Sequence, residues 1–385
     1  MAAVAPSLSA VSDRRGNRPD PILLSMVLML SGFGLLMIYS ATRFGLERSE
    51  QIPTGTMERQ MIFVTAGLIA IGVFSFIDYR EYRNFLPIIY GVVILMLVAV
   101  FLFPEVNGAR RWIPIPFFNL QPAEFTKPVV IITMAYVLSQ GNEPDRVKWR
   151  QILQILVLAG LPAALILLEP DLGTTLTIPF VMLVMLFAAG ANWKQMTTLI
   201  GSGVVAVAAA FQFDLLQDHQ ERRIRVFLDP SLDPQGMGFQ LRQSKLAIGS
   251  GQLTGKGLFE GTQTNLAYVP EAETDFIFTA VGEQLGFIGG VLLVAGFLIL
   301  IWRLLVIAAQ ARDRFGSLIA VGIAGMLVFH VFVNIGMTVG IAPVTGLPLP
   351  FLSLGGSFYL AMAISIGIAN SVWLRRSPVP DRMEP

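Results

Sequence analysis

Apolar residues in this chain come in long, nearly unbroken blocks separated by short polar stretches. A helix that is apolar on every side belongs inside protein or lipid. Because a helix rises about 1.5 Å per residue, about 20 apolar residues cross a hydrocarbon core. Ten blocks approach that length: 21–41, 60–77, 85–103, 122–138, 152–168, 174–190, 195–213, 276–307, 316–338 and 351–374. The pattern predicts an all-α polytopic membrane protein with ten transmembrane helices. Several blocks are short or contain Gly or Pro, which membrane helices carry more often than soluble ones.

Composition agrees with the pattern. Charged residues make up 14% of the chain and the mean hydropathy is +0.66, against roughly 25% charge in a soluble domain. The distribution of Lys and Arg then sets an orientation, because cytoplasmic loops retain positive charge. With the N-terminus inside, Arg80, Arg83, Arg146, Lys148, Arg150, Lys194, Arg303, Arg312 and Arg314 all fall on the cytoplasmic side, as do Arg375, Arg376 and Arg382. Both termini are therefore expected to be cytoplasmic. Residues 1–20, with Arg14, Arg15 and Arg18, read as a flexible tail rather than a cleavable signal, since the block that follows is long enough to span. Residues 376–385 read as a second disordered tail, which leaves 21–375 as the membrane domain.

Most of the other basic residues gather in two outer loops, after the third and seventh blocks, where short loops normally shed them. The second loop, 214–274, has structure of its own. It holds an amphipathic stretch at 215–228, a turn-rich piece at 229–234, a helical stretch at 239–248 and a glycine-rich turn at 249–261. Long loops of this kind are usually functional. No internal repeat is visible, so a transporter built from inverted repeats has no support in the sequence.

Candidate chemistry concentrates where that loop meets the eighth block. In Pro270-Glu271-Ala272-Glu273-Thr274-Asp275-Phe276, three carboxylates crowd the water side of a membrane helix, and charge near a bilayer is costly enough to be kept for a reason. Thr274 or Asp275 could simply cap the helix; capping and catalysis are compatible, since a held carboxylate is also an oriented one. Thr279 and Glu283 follow on the same broad side, Glu283 two turns in, where it should face protein or a wet cavity. Glu124 and Lys127 sit at i, i+3 on the fourth block. They read first as a buried ion pair fixing two helices, with Lys127 also a candidate to meet an anionic substrate or Asp275.

Arg110, Arg111 and Trp112 suit either membrane-surface anchoring or a diphosphate clamp, since guanidinium forks match phosphate oxygens. Arg222 with Arg225, and Arg242 with Lys245, add i, i+3 cation pairs to the long loop. Glu169-Pro170-Asp171-Leu172-Gly173-Thr174 reads as a turn between spans. The run 249–257 only superficially resembles a nucleotide-binding loop: Gly257 follows Lys256 where Ser or Thr is needed, and Ser250 replaces the leading Gly. No nucleotide cofactor is expected. The absence of cysteine excludes disulfides and thiolate chemistry. His219 and His330 stand alone, so no metal-binding motif is present either. A net charge of +1 argues against a nucleic-acid partner.

These motifs together closely resemble those of the SEDS family (shape, elongation, division and sporulation; RodA, FtsW and SpoVE). The resemblance runs through Asn107-Gly108-Ala109-Arg110-Arg111-Trp112, Gln121-Pro122-Ala123-Glu124-Phe125-Thr126-Lys127 and the 169–174 turn. It continues through Gln243-Ser244-Lys245, Gly255-Lys256-Gly257, the 270–278 motif, Asn334, Pro343-Val344-Thr345-Gly346, Leu349-Pro350-Phe351 and Gly355-Gly356-Ser357. Gly261-Thr262-Gln263 and 343–346 look more like the RodA elongation branch than the FtsW division branch. Glu273, Gln284 and Leu354 depart from the common pattern, which puts pH dependence and fine geometry in question rather than the reaction.

The resemblance implies a ten-span protein of the bacterial inner membrane that polymerises the lipid-linked precursor lipid II into glycan strands, beside a class B penicillin-binding protein. It also implies an essential Asp275, with Glu124 and Lys127 in the same cavity. On that reading Asp275 is the general base of an inverting transfer on the extracytoplasmic side. Arg110, Arg111, Lys127, Lys256, Arg222 and Glu283 are the candidates around the substrate, with a divalent cation, Mg or Mn, as an added option at the diphosphate. A lipid II flippase and a noncatalytic scaffold for the partner are the alternative readings.

Overall fold

The structure is a computed structural model that describes residues 18–48, 56–105, 109–116, 118–140, 146–213, 218–266, 268–269 and 271–376. Most of both expected tails, Asn107 and Gly108 of the arginine loop, Pro270, and the side chain of His219 lie outside what is described.

Each expected block holds a helix. In order they are α1 (Pro21–Arg48), α2 (Thr56–Phe76), α3 (Glu81–Ala99), α4 (Pro122–Ser139), α5 (Trp149–Leu168), α6 (Leu172–Ala188) and α7 (Trp193–Gln212). The long loop contributes α8 (Asp218–Leu228), α9 (Met237–Ser250) and the single turn α10 (Thr262–Asn265), before α11 (Ile277–Gln310), α12 (Arg314–Val339) and α13 (Gly356–Leu374). A short hairpin of β1 (Ile113–Ile115) and β2 (Phe118–Leu120) precedes α4. Among the described residues, eight helices are long and apolar enough to cross a membrane. Helix α6 is apolar but shorter, and the first turns of α4 are diluted by Glu124, Thr126 and Lys127.

Start signals in the sequence explain several boundaries. Asp20 accepts from the amides of Ile22 and Leu23 ahead of α1, Asp171 from Thr174 at α6, and Asp313 from Gly316 at α12. At α7, Asn192 and Gln195 form a reciprocal capping box. The core lies along α4, α12 and α13, which pack against one another. Helix α7, by contrast, stands at the periphery with only 11% of its span buried.

One end of the bundle is stapled by ionic contacts. Asp20 pairs with Arg303 at 2.5 Å, Arg80 with Asp313 and Arg375 with Asp78. The Arg303 and Arg376 guanidiniums both lie over Trp373. The Tyr79 hydroxyl donates to Asp313. Burial, reinforced by the Asp313 charge, pushes that phenol up to about 12, while its hydrogen bonds hold the Asp313 carboxyl below the usual range despite burial.

The opposite end departs from regular helix. Inside α11, Gly286 adopts φ 66°, ψ −162°, a conformation essentially reserved for glycine. The backbone groups released there are not left unpaired. The amides of Lys256 and Gly257 donate to the carbonyls of Glu283 and Gln284, and the amides of Phe287 and Ile288 donate to Gln252 and Leu253. The glycine-rich turn is therefore spliced into the helix break. A Cβ on Gly255 would fall 2.1 Å from the Gln284 carbonyl oxygen, so only glycine lets the two backbones approach this closely. This splice divides the expected eighth span into a short half-helix, 277–285, and a membrane-length remainder.

Candidate active site

The half-helix begins at the acidic motif, and the turn that carries Asp275 is held by its backbone. The Glu273 carbonyl accepts from the Leu354 amide, the Thr274 carbonyl from Ser353 Oγ, and the Asp275 carbonyl from Asn334 Nδ2 at 2.8 Å. The same Asn334 amide bridges to the Leu347 carbonyl. The turn closes on Glu271, whose carbonyl accepts from the amides of Thr274 and Phe276 and whose own φ is 55°, a costly left-handed conformation for a residue with a side chain. Thus α11, α12 and the 343–354 segment fix the backbone while leaving the Asp275 side chain unengaged.

Capping is not its role. The N-cap position of α11 is Phe276, which makes no side-chain capping bond, and Thr274 Oγ1 donates to Glu271 instead. Among the described residues no donor contacts the Asp275 carboxylate. It lies 3.2 Å from where a Cβ on Gly346 would sit and retains partial solvent contact within dense surroundings. Burial, and next the Glu271 charge, raise its pKa to about 7, with Asp171 adding to the rise and Arg223 and Arg111 opposing it. A carboxyl near neutrality is suited to exchanging protons.

The two cations come from separate places. Arg223, on α8, donates to the Thr345 carbonyl at 2.7 Å, and burial lowers its own pKa. Arg111 reaches across to the carbonyls of Glu169 and Pro170. Asp171 accepts from Gln121 Nε2 and lies within electrostatic reach of both Asp275 and Glu124. The turn at 169–174 is therefore a wall of the site as well as a turn. Glu169 is fully buried, and among the described residues neither carboxylate oxygen is hydrogen-bonded. Burial and then Asp171 push it to about 8 against the opposing Arg111.

The remaining candidates fall into three groups. Glu124 and Lys127 form the expected i, i+3 ion pair at 2.7 Å, both buried. Lys127 turns to His330 Nε2 at 3.2 Å and to the Phe358 ring, and it is not among the charges that bear most on Asp275. Helix packing places His330 on α12 opposite Lys127, so of the two further partners considered for Lys127 the described contacts do not include Asp275. Lys256 and Glu283 pair with each other at 2.9 Å. Glu283 also accepts from the amides of Gln263 and Thr264 and the hydroxyls of Thr262 and Thr264, so both are taken up in holding the loop rather than free for substrate. Arg110 pairs with Glu105, away from Arg111, and Arg222 is exposed. The residues that sequence reasoning left out are Arg223, Asp171 and Glu169. Asp171 stood in a noted motif, whereas Arg223 had no periodicity to separate it from Arg222.

Beside the turn, Arg59, Gln60 and Phe63 of α2, the β1–β2 hairpin and residues 354–356 enclose a cavity of about 490 Å³. Leu354 of its wall donates its amide to the Glu273 carbonyl, two residues before Asp275. Among the described residues no three His, Cys, Asp or Glu side chains converge as a metal cage.

A family model described as Cell cycle protein, covering FtsW, RodA and SpoVE, matches residues 21–377. The chain is 39% identical over 358 residues to the probable peptidoglycan glycosyltransferase FtsW of Trichlorobacter lovleyi, spanning 92% of each protein. It is equally 39% identical over 361 residues to the peptidoglycan glycosyltransferase MrdB of Escherichia coli K12, covering 93% of this chain and 94% of that one. Among solved structures, a chain from work described as structural coordination of polymerization and crosslinking by a peptidoglycan synthase complex superposes with TM-score 0.77 at 30% identity. That match covers 93% of this chain and 98% of the other. The rod shape determining protein RodA of Thermus thermophilus gives 0.68 at 28%, over 93% and 97%.

Proposed function

This chain belongs to the FtsW/RodA/SpoVE family, and from that premise we propose that it joins lipid II units into glycan strands with Asp275 as the general base. It is a multi-pass membrane peptidoglycan glycosyltransferase, in line with its relatives. The observation that carries the role of Asp275 is a carboxylate that no described donor contacts, on an immobilised backbone, within electrostatic reach of two arginines and with a pKa near neutrality.

Glycosyl transfer needs a base at the acceptor hydroxyl and charge stabilisation at the departing diphosphate. In our reading Asp275 takes the hydroxyl proton as the acceptor oxygen attacks the donor's anomeric carbon. The bond to the diphosphate breaks in the same displacement and the configuration inverts. Arg223 and Arg111 face the negative charge that develops on the leaving group. A base contributes roughly 10²–10⁴-fold, so positioning by the 343–354 scaffold must supply much of the remainder. A divalent cation would be held chiefly by the diphosphate's own oxygens. The cavity at Arg59 and Phe63 suits the approach of a lipid-linked sugar from the bilayer.

Ten spans, cytoplasmic termini and an extracytoplasmic 214–274 loop complete the proposal. The basic, ion-paired end of the bundle lies opposite the Asp275 end, which supports this orientation because cytoplasmic ends retain positive charge. A class B penicillin-binding protein is the proposed partner, and the elongation branch is favoured by the 261–263 and 343–346 motifs.

Purified protein supplied with lipid II, with and without the partner, should form glycan polymer, and Asp275→Asn should not. Undiminished polymer from a folded Asp275→Asn protein would remove the general base.

A further inference from the structure

At the basic end, on the far side of the molecule from Asp275, α3, α4 and α5 leave an apolar groove of about 700 Å³ open to the bilayer. Pro87, Tyr136, Val137, Leu153 and Val157 line it. Its deep end has a physical cause. Pro162 cannot donate to the Leu158 carbonyl four residues earlier, and the Tyr90 hydroxyl fills that vacancy at 2.9 Å. A polar pin thus ties α3 to α5 with the groove beside it. At the mouth, Gln151 Nε2 ties the end of α4 to the start of α5 through the Val137 and Gln140 carbonyls.

The mouth is cationic. Arg150 continues the helical stripe of Leu153, Gln154, Val157 and Leu158 at i, i+3, i+4, i+7 and i+8. Arg146, Lys148 and Arg150 are all exposed, and none pairs with a carboxylate among the described residues. Trp149 beside them is 53% exposed, as suits a side chain at the headgroup level. Of the acids around the start of α3, Glu81 accepts from Asn84 and Asp78 pairs with Arg375. Arg83 lies over Phe315, toward α12.

We propose that this groove binds a two-chain glycerophospholipid with an anionic head group, its chains against Leu153 and Val157 and its phosphate at Lys148 and Arg150. Charge at the mouth selects the head group, since a basic side chain at a membrane surface favours an anionic lipid by about fivefold. The site is independent of the glycosyltransferase reading. A lipid seated here carries its head group at the end opposite Asp275.

The test is native mass spectrometry of the whole protein incubated with phosphatidylglycerol or with phosphatidylcholine of the same chains. Wild type should retain phosphatidylglycerol about tenfold better. Lys148→Gln with Arg150→Gln should abolish the preference, and Val157→Trp should lose both lipids. Leu153, Gln154 and Val157 are exposed on α5, so a groove-filling change there leaves the packing intact, and Leu153→Trp is an independent second plug. Asp275→Asn should bind phosphatidylglycerol as wild type does. Equal retention of the two lipids by wild type, or undiminished retention by the folded plugged variants, would overturn the site.

Discussion

Asp275 and Glu283 are two carboxylates eight residues apart, at the same end of the bundle. The fold treats them in opposite ways. Both oxygens of Glu283 are occupied by Lys256, two backbone amides and two threonine hydroxyls. No described donor touches the carboxylate of Asp275, although three successive carbonyls around it are anchored. Burial is therefore a poor guide to function when taken alone. Glu283 has its whole capacity committed to the splice between the glycine-rich turn and the broken helix, whereas Asp275 is positioned by its backbone and keeps its chemistry available.

The sharpest way to break this contrast is to remove one carboxylate at a time. Asp275→Asn should lower polymerisation by roughly 10²–10⁴-fold with the melting temperature kept or raised. The sign follows from linkage. An acid whose folded pKa is raised to about 7 binds more protons when folded than unfolded between about 4 and 7, so stability is lost as pH rises through that window. Removing the ionisation should relieve the loss at pH 8, which paired melting curves at pH 5 and pH 8 would measure. Glu283→Ala should do the reverse. It strands Lys256 and a set of buried donors at about 1–3 kcal/mol each, so melting should fall strongly, with activity lost through unfolding rather than through chemistry.

The pH profile offers a finer cut. A base must be ionised, so kcat/KM should rise with pH through about 7 on its acid limb. Glu271→Gln removes a negative neighbour and should move the limb to lower pH. Arg223→Gln removes an opposing cation and should move it higher, with about tenfold loss at neutral pH. Limbs that stay fixed in both variants would mean that another group titrates.

How much of this was legible beforehand follows from what each feature depends on. The helical blocks could be read because bilayer thickness imposes a length, and every expected block does hold a helix. The Glu124–Lys127 pair could be read because i, i+3 spacing places both on one face. The break at Gly286 could not, since its hydrogen bonds come from a turn some thirty residues earlier and glycine is common in membrane helices. His330 opposite Lys127 was hidden for the same reason. Long-range partners leave no local period. Asp171 looked like a turn residue because it is one; that its charge also bears on Asp275 depends on where α6 starts.

The smallest expected effect tests that lesson most directly. Periodicity pairs Arg222 with Arg225 as a cationic face of α8, yet Arg225 is held by Glu221 and Arg222 is exposed. Arg223, between them, is the one anchored to the Thr345 carbonyl within reach of Asp275. A 100° turn per residue separates these neighbours, so one can face the site while the other faces water. Arg222→Gln should therefore change folding stability by no more than the ±0.5 kcal/mol usual for surface positions, change kcat/KM by less than about twofold, and leave the acid limb in place. Side by side with Arg223→Gln, equal losses would indicate that the loop acts on the diphosphate as diffuse charge. A loss confined to Arg223→Gln assigns the contact to one guanidinium held in place by the loop's fold.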